Sequence, residues 1–131
     1  LVEYALHRIV LHHLRPFSDW HAEHHRHPAA LIFTPTVLSA ALLVALVFLP
    51  ALALTNLWHA SGLTFGMLSG YLAYTVIHHA MHHGRVARGW LQALRRWHDL
   101  HHAVDSGYYG VTSTFWDHVF RSDRSDRTIQ R

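Results

Sequence analysis

From His27 to Gly84 the chain runs for 58 residues without an Asp, Glu, Lys or Arg. A helix in a water-soluble domain needs a polar face, so an uncharged run of this length leaves two outcomes. One is a hairpin of membrane-spanning helices; the other is a hairpin buried on all sides in a soluble core. Leu31 to Leu54 supplies 24 residues, roughly 36 Å of helix at 1.5 Å per residue, against a hydrocarbon core of roughly 30 Å. "TNLWHASG" (55–62) reads as the turn, with Trp58 and His59 suited to an interface, and "LTFGMLSGYLAYTVIHHAMHH" (63–83) returns. Both arms are apolar around their circumference, which favours the membrane hairpin. Pro35 and Pro50 are expected to kink the first arm without stopping it. Gly66 and Gly70 form a GxxxG pattern that would let the arms approach closely.

The rest of the composition is consistent with this reading. The 131 residues form one domain, 1–131, and contain no cysteine, which excludes disulfides, zinc–thiolate sites and thiol catalysis. All eleven basic residues are arginine. They flank the apolar block and form no stripe, so the net charge of +3 does not indicate nucleic acid. Arg8, Arg15 and Arg26 precede the hairpin, Arg85, Arg88, Arg95 and Arg96 follow it, and none sits at the turn. That asymmetry places the feet on the cytoplasmic side.

Residues 1–16 read as a helix ending before Pro16. Its apolar start suggests the tail of a longer membrane helix, the chain being shortened at its N-terminus. In "FSDWHAEHHRHP" (17–28), Ser18 or Asp19 is placed to cap a short helix. An amphipathic helix carries "RRWHDLHH", and 121–131 reads as a flexible charged tail.

Sixteen histidines exceed what packing needs. Ten fall in four groups: His7 with His12; His21, His24 and His25; His78 with His82; and His98, His101 and His102. On an α-helix, positions i and i+4 lie about 40° apart, with i+3 about 60° the other way. His98, His101 and His102 therefore share a face and can meet one metal or two neighbouring ions; His78 and His82 repeat the i, i+4 relation. His7 and His12 are separated by about 140° on an ideal helix and need a local wide turn or a helix end to converge. His13, His27, His59 and His118 read as polar anchors. A low-complexity metal-buffering tract is the bland alternative, but these histidines are interleaved with Trp, Arg and Leu.

Imidazole suits Zn, Fe, Cu and Ni. Ten donors are too many for one ion and suit two. Redox metals beside a lipid phase point to oxygen chemistry on a hydrocarbon chain. Hydrolytic zinc would need a carboxylate base near the metal water. Glu3, Glu23 and Asp99 are available, and read better as partners for ligand N–H groups. A metal transporter should place ligands near the bilayer midplane, whereas Leu42 to Val47 and Met67 to Leu72 contain none.

Across "EYALHRIVLHH", "HAEHH", "GYLAYTVIHHAMHH", "RWHDLHH" and "YYGVTSTFWDHVF" the chain resembles the fatty acid hydroxylase / sterol desaturase superfamily of membrane di-iron proteins. The order HxxxxH, HxxHH, HxxxH, HxxHH is most similar to the fatty acid and sphingolipid 2-hydroxylase branch. The resemblance implies an all-α integral membrane hairpin under a histidine-rich cytoplasmic helical cap. It implies two iron ions, with zinc able to replace them, held by His7, His12, His21, His24, His25, His78, His82, His98, His101 and His102. Asp117, in "WDHVF", would support the site. The implied reaction is O₂-dependent hydroxylation of a lipid acyl chain, fed by a separate electron donor (cytochrome b5-like, ferredoxin or reductase). Sterol or lipid desaturation, carotenoid hydroxylation and a non-enzymatic metal-binding role are the alternatives. Tyr74, Tyr108, Tyr109 and Trp116 are candidates for the substrate channel or cap, with core packing the competing reading.

Overall fold

Asn56 divides the uncharged block. Its side chain accepts a hydrogen bond from the backbone N–H of His59 at 3.0 Å, satisfying a donor that the first turn of a helix otherwise leaves bare. The turn is therefore only Thr55–Asn56. Trp58, His59 and Gly62, read from sequence as part of it, already belong to a long helix. Trp58 and His59 nonetheless stay exposed at the hairpin tip.

The computed structural model describes residues 1–30, 36–84, 89–104 and 106–123. Arg85 and Arg88, the start of the first arm with Pro35, and tail residues 124–131 lie outside them. Among the described residues every element is helical. Helix α1 (Val2–Ala5) continues into the π-helical turn π1 (Leu6–Leu11), followed by α2 (Phe17–Arg26). The first arm is α3 (Thr36–Leu43), π2 (Val44–Phe48) and α4 (Leu49–Leu54); the second is α5 (Leu57–His83). Helices α6 (Trp90–Val104) and α7 (Phe115–Phe120) complete the chain. The π2 segment lies just before Pro50, which has no N–H to give the preceding turn. Helix α2 begins at Phe17 with Pro16 at its N-cap, so Ser18 and Asp19 sit inside the first turn instead of capping it. Asp19 pairs there with Arg15 at 3.5 Å.

Both arms are long and apolar enough to cross a membrane. None of Val37–Leu54 is buried within the chain, and only 11% of the window in Leu57–His83 is. A buried soluble hairpin would show the opposite. Thirteen large apolar side chains between Val37 and Val76 are exposed, Leu46 by 71% and Phe65 by 75%. At about 1.5–3 kcal/mol forgone per side chain left in water, the total would exceed an ordinary folding stability of about 5–15 kcal/mol. An apolar solvent removes that conflict.

The GxxxG expectation does not hold. A Cβ at Gly66 or Gly70 would meet nothing within 4 Å. The arms meet instead on the small-residue face carrying Ala60 and Thr64, which are 0% and 7% exposed. Thr64 returns its hydroxyl to the Ala60 carbonyl at 2.8 Å, so no polar atom is left bare on that face. At the other end, α6 packs on α5 and α2 packs on π1. Met81, Leu94 and Val111 form a small core there, with Tyr74, Ile77 and Leu91 against it.

A charge at the middle of the first arm tests this arrangement. Leu46→Arg is expected to cost about 2.5–3.5 kcal/mol of insertion and to lower the yield in the membrane fraction, measured by carbonate extraction. Unchanged membrane yield would count against a spanning hairpin.

Candidate metal centre

The wide turn that His7 and His12 require is present. In a π-helix the backbone bonds span five residues, so positions five apart stand one above the other. Leu6–Leu11 adopts this form, and the His7 and His12 ring centroids come to 5.3 Å.

All four groups meet at the foot of the hairpin and sort into two clusters. His7, His12, His21 and His101 form the first; His24, His78, His82, His98 and His102 form the second. Within each, the donor atoms lie within 4.8 Å of one another. Both HxxHH units are thus split between the clusters, the second of the two arrangements that the spacing of His98, His101 and His102 allowed. His25 lies between them: its Nε2 is 3.1 Å from His21 Nε2, and its ring stacks on His102 at 4.4 Å. His13, His27, His59 and His118 are exposed and outside both clusters.

The nitrogen atoms face each other. Nε2–Nε2 separations are 3.0 Å for His7–His21, 3.1 Å for His21–His12 and 3.2 Å for His12–His101. In the second cluster they are 3.3 Å for His82–His78, 2.9 Å for His82–His98 and 3.0 Å for His102–His98. Nitrogens sharing a metal at about 2.0–2.1 Å would stand about 2.9–3.4 Å apart for octahedral to tetrahedral angles. The two ranges coincide.

Protons cannot satisfy the arrangement. His7 Nδ1 donates to the Tyr109 carbonyl at 2.6 Å, and His101 Nδ1 donates to the Gly107 carbonyl at 2.7 Å. A neutral imidazole has one N–H, so Nε2 of each carries a bare lone pair. His21 Nε2 faces the Nε2 atoms of His7, His12 and His25, and one proton cannot serve three contacts. A cation at the centre of each group serves them all. Charging the rings is no remedy. Burial, the leading cause, holds His24 and His101 down to about 2 and His102 to about 3. His7, His21 and His98 are also pushed well down, burial again leading and neighbouring imidazoles adding to it.

The carboxylates act one step further out. Asp117, fully buried, accepts from the backbone N–H of Tyr109 and of Gly110, each at 2.8 Å, from Trp97 Nε1 at 3.0 Å and from the Ser122 hydroxyl at 2.8 Å. Glu3 accepts from Val111 N–H at 2.9 Å and the Thr112 hydroxyl at 3.1 Å. Together they clamp the loop whose carbonyls orient His7 and His101. Reading Glu3 and Glu23 as direct partners of ligand N–H groups is therefore corrected. Glu3 holds backbone, and exposed Glu23 pairs with Arg26 and His27. Asp99 is exposed at the rim of a cavity beside His82 and His102.

The loop carbonyls have no side-chain signature and escape a sequence reading; the glycines of "SGYYG" are their only trace. Gly107 has φ +125°, and a Cβ at Gly110 would collide with the Ser113 carbonyl and come within 2.6 Å of Asp117 Oδ2. Of the aromatic candidates, Tyr109 packs against His12 at 5.1 Å and Tyr74 stacks on His78 at 5.5 Å. Tyr108 and Trp116 pack on Trp97 and Phe120.

Two outcomes follow. In Asp117→Asn the amide must point its NH₂ at a backbone donor, leaving a buried group unsatisfied at about 1–3 kcal/mol. Thermal stability and metal content should both drop, read by melting and elemental analysis; retention of both would remove Asp117 from the site. Acid should act on the metal-free protein. Above pH 6.5 the rings are neutral in folded and unfolded chains. As pH falls from 6.5 toward about 3, the unfolded chain takes up protons that His7, His21, His98 and His101 refuse. Each group costs about 1.4 kcal/mol per pH unit, so melting temperature should fall steeply between pH 6.5 and 5.5.

Comparison with known proteins gives the family. The family model for fatty acid hydroxylases matches residues 1–122. A dihydroceramide fatty acyl 2-hydroxylase of Arabidopsis thaliana is 37% identical over 92% of this chain and 54% of its own length. The ceramide very long chain fatty acid hydroxylase of Schizosaccharomyces pombe is 31% identical over 94% and 39%, and the human fatty acid 2-hydroxylase 32% over 93% and 36%. The chain thus spans about half the length of its Arabidopsis relative and less of the others. No solved structure matches it significantly. By the extent of the family match, the chain belongs to the fatty acid hydroxylase family.

Proposed function

We propose that this chain is a lipid hydroxylase, a single domain over 1–131, in which the two histidine clusters hold two iron ions at the cytoplasmic foot of a membrane hairpin. The observation that carries the reading is the pair of adjacent clusters whose imidazole donor atoms converge within 4.8 Å, with no carboxylate among the donors in the described residues. When bound, the irons supply the O₂ chemistry, and zinc, which has no redox chemistry, would occupy the same ligands without it. The balanced reaction is R–H + O₂ + 2e⁻ + 2H⁺ giving R–OH and water. The two electrons come from a separate donor of the cytochrome b5-like, ferredoxin or reductase type.

The chain's own residues do the positioning. The Tyr109 and Gly107 carbonyls keep the protons of His7 and His101 on Nδ1, aiming each Nε2 at the centre of the first cluster. The second cluster lies behind a cavity of about 260 Å³ lined by Pro28, Ala29, Met81, His82, Arg95, Asp99 and His102. Its volume is below the roughly 300–1,000 Å³ of a site for a whole drug-sized ligand. It therefore suits a section of hydrocarbon against Met81, Pro28 and Ala29, with Arg95 and Asp99 toward a polar head. The relatives' names favour 2-hydroxylation of a fatty acyl chain. Among the described arginines, Arg8, Arg15, Arg26, Arg95 and Arg96 lie at the feet and none at the tip, which supports the cytoplasmic placement. The ligands' position at one end of the arms, away from their middle, favours an enzyme over a transporter.

Protein reconstituted in lipid nanodiscs with iron, a reductant and ¹⁸O₂ should give ¹⁸O-labelled hydroxy-acyl lipid and contain about two irons per chain, one for each cluster. Ligand substitutions His7→Ala and His98→Ala should each lower product more than the roughly 10–100-fold typical of outer partners. Tight zinc binding without oxygen consumption under reducing conditions would leave a metal-binding protein and no oxygenase.

A further inference from the structure

The segment "HHAMHH" contains two interleaved i, i+4 pairs, and only His78 and His82 enter a cluster. The other pair, His79 and His83, lies about 100° further round α5 and is exposed. Its ring centroids stand 4.5 Å apart, nearly the 4.7 Å of the inner pair. The same helix thus presents a second i, i+4 imidazole pair outward, its rings tilted by 33° where the inner pair's stand at 82°. The outer pair also occupies the last turn of a 27-residue helix, where the terminal carbonyls favour a cation. The His83 ring is 6.4 Å from that of His82, a member of the second cluster. Interface anchoring would account for two exposed histidines; it would not account for their paired spacing next to a ligand.

We propose that His79 and His83 form a third, surface site for a divalent transition-metal ion, from which the ion passes by way of His82 to the buried clusters. With two protein donors and water completing its shell, the ion is held more weakly than by four or five imidazoles. Weak holding suits a site that captures and releases. The proposal rests on the metal-centre reading above.

Metal-free full chain in nanodiscs, titrated with Zn²⁺ and followed by calorimetry, should take up three ions, and dialysis should then remove them in order of affinity. The third should be the first lost. The double variant His79→Ala/His83→Ala should stop at two and fill them several-fold more slowly at limiting Zn²⁺. The single variant His79→Ala, which breaks the grip with the smallest change, should behave the same way. Two ions in the unsubstituted protein, or a third that survives both substitutions, would overturn the surface site. Equal filling rates would overturn the passage inward. Failure of the unsubstituted protein to bind even two ions would instead defeat the metal-centre reading.

Discussion

Imidazole nitrogens of neighbouring rings face one another about 3 Å apart, and around His21 the contacts outnumber the ring protons that could fill them. A cation at the centre of each cluster would satisfy them together. The rest of the cap would lean on that charge. Its apolar core is small: Met81, Leu94 and Val111 are the buried members of the central cluster. Elements as short as α1, π1 and α2 gain little hold from so small a buried surface. Metals held by π1, α2 and α6 in one cluster and by α2, α5 and α6 in the other would together tie all four elements, so that binding energy would become folding energy.

The two clusters are built differently. In the first, two of the four rings are anchored through Nδ1 to a loop that Glu3 and Asp117 clamp from opposite ends of the chain. Burial pushes the Glu3 carboxyl up, a cost offset by its two hydrogen bonds. In the second, the Nδ1 atoms of His98 and His102 are buried without a hydrogen-bond partner among the described residues, and the cavity opens beside His82 and His102. The first cluster is thus held to the loop, and the second borders the cavity.

Much of this could be read from residue order, because the signals were periodic. The i, i+3 and i, i+4 spacings of His78, His82, His98, His101 and His102 encode a shared face directly, and the uncharged run encodes the hairpin. His7 and His12 showed as a misfit, and the π1 turn explains it; a shift from four- to five-residue hydrogen bonding leaves no mark in composition. The GxxxG reading failed because small residues permit close approach without choosing the face. Ala60 and Thr64 point at the partner arm, and Gly66 and Gly70 do not. The Gly107 and Tyr109 carbonyls were invisible for a simpler reason: every residue has a carbonyl, and only the fold selects which ones meet an imidazole.

The charge-free run and the metal site are also one solution to one problem. Helix α5 must leave a hydrocarbon phase and end as ligands without interruption. A carboxylate or lysine on such a helix costs about 2.5–3.5 kcal/mol near its centre, falling toward the ends. Histidine is the strong ligand that stays neutral at pH 7 and still offers a lone pair. Beside His24 and His98, the His78 and His82 rings extend the uncharged character of the span to the histidine cluster itself. Net positive charge would then enter the site only with the cations. An all-imidazole donor set is what a membrane helix can carry to its own end, which is why the run lacking Asp, Glu, Lys and Arg reaches Gly84 and stops just beyond the last histidine.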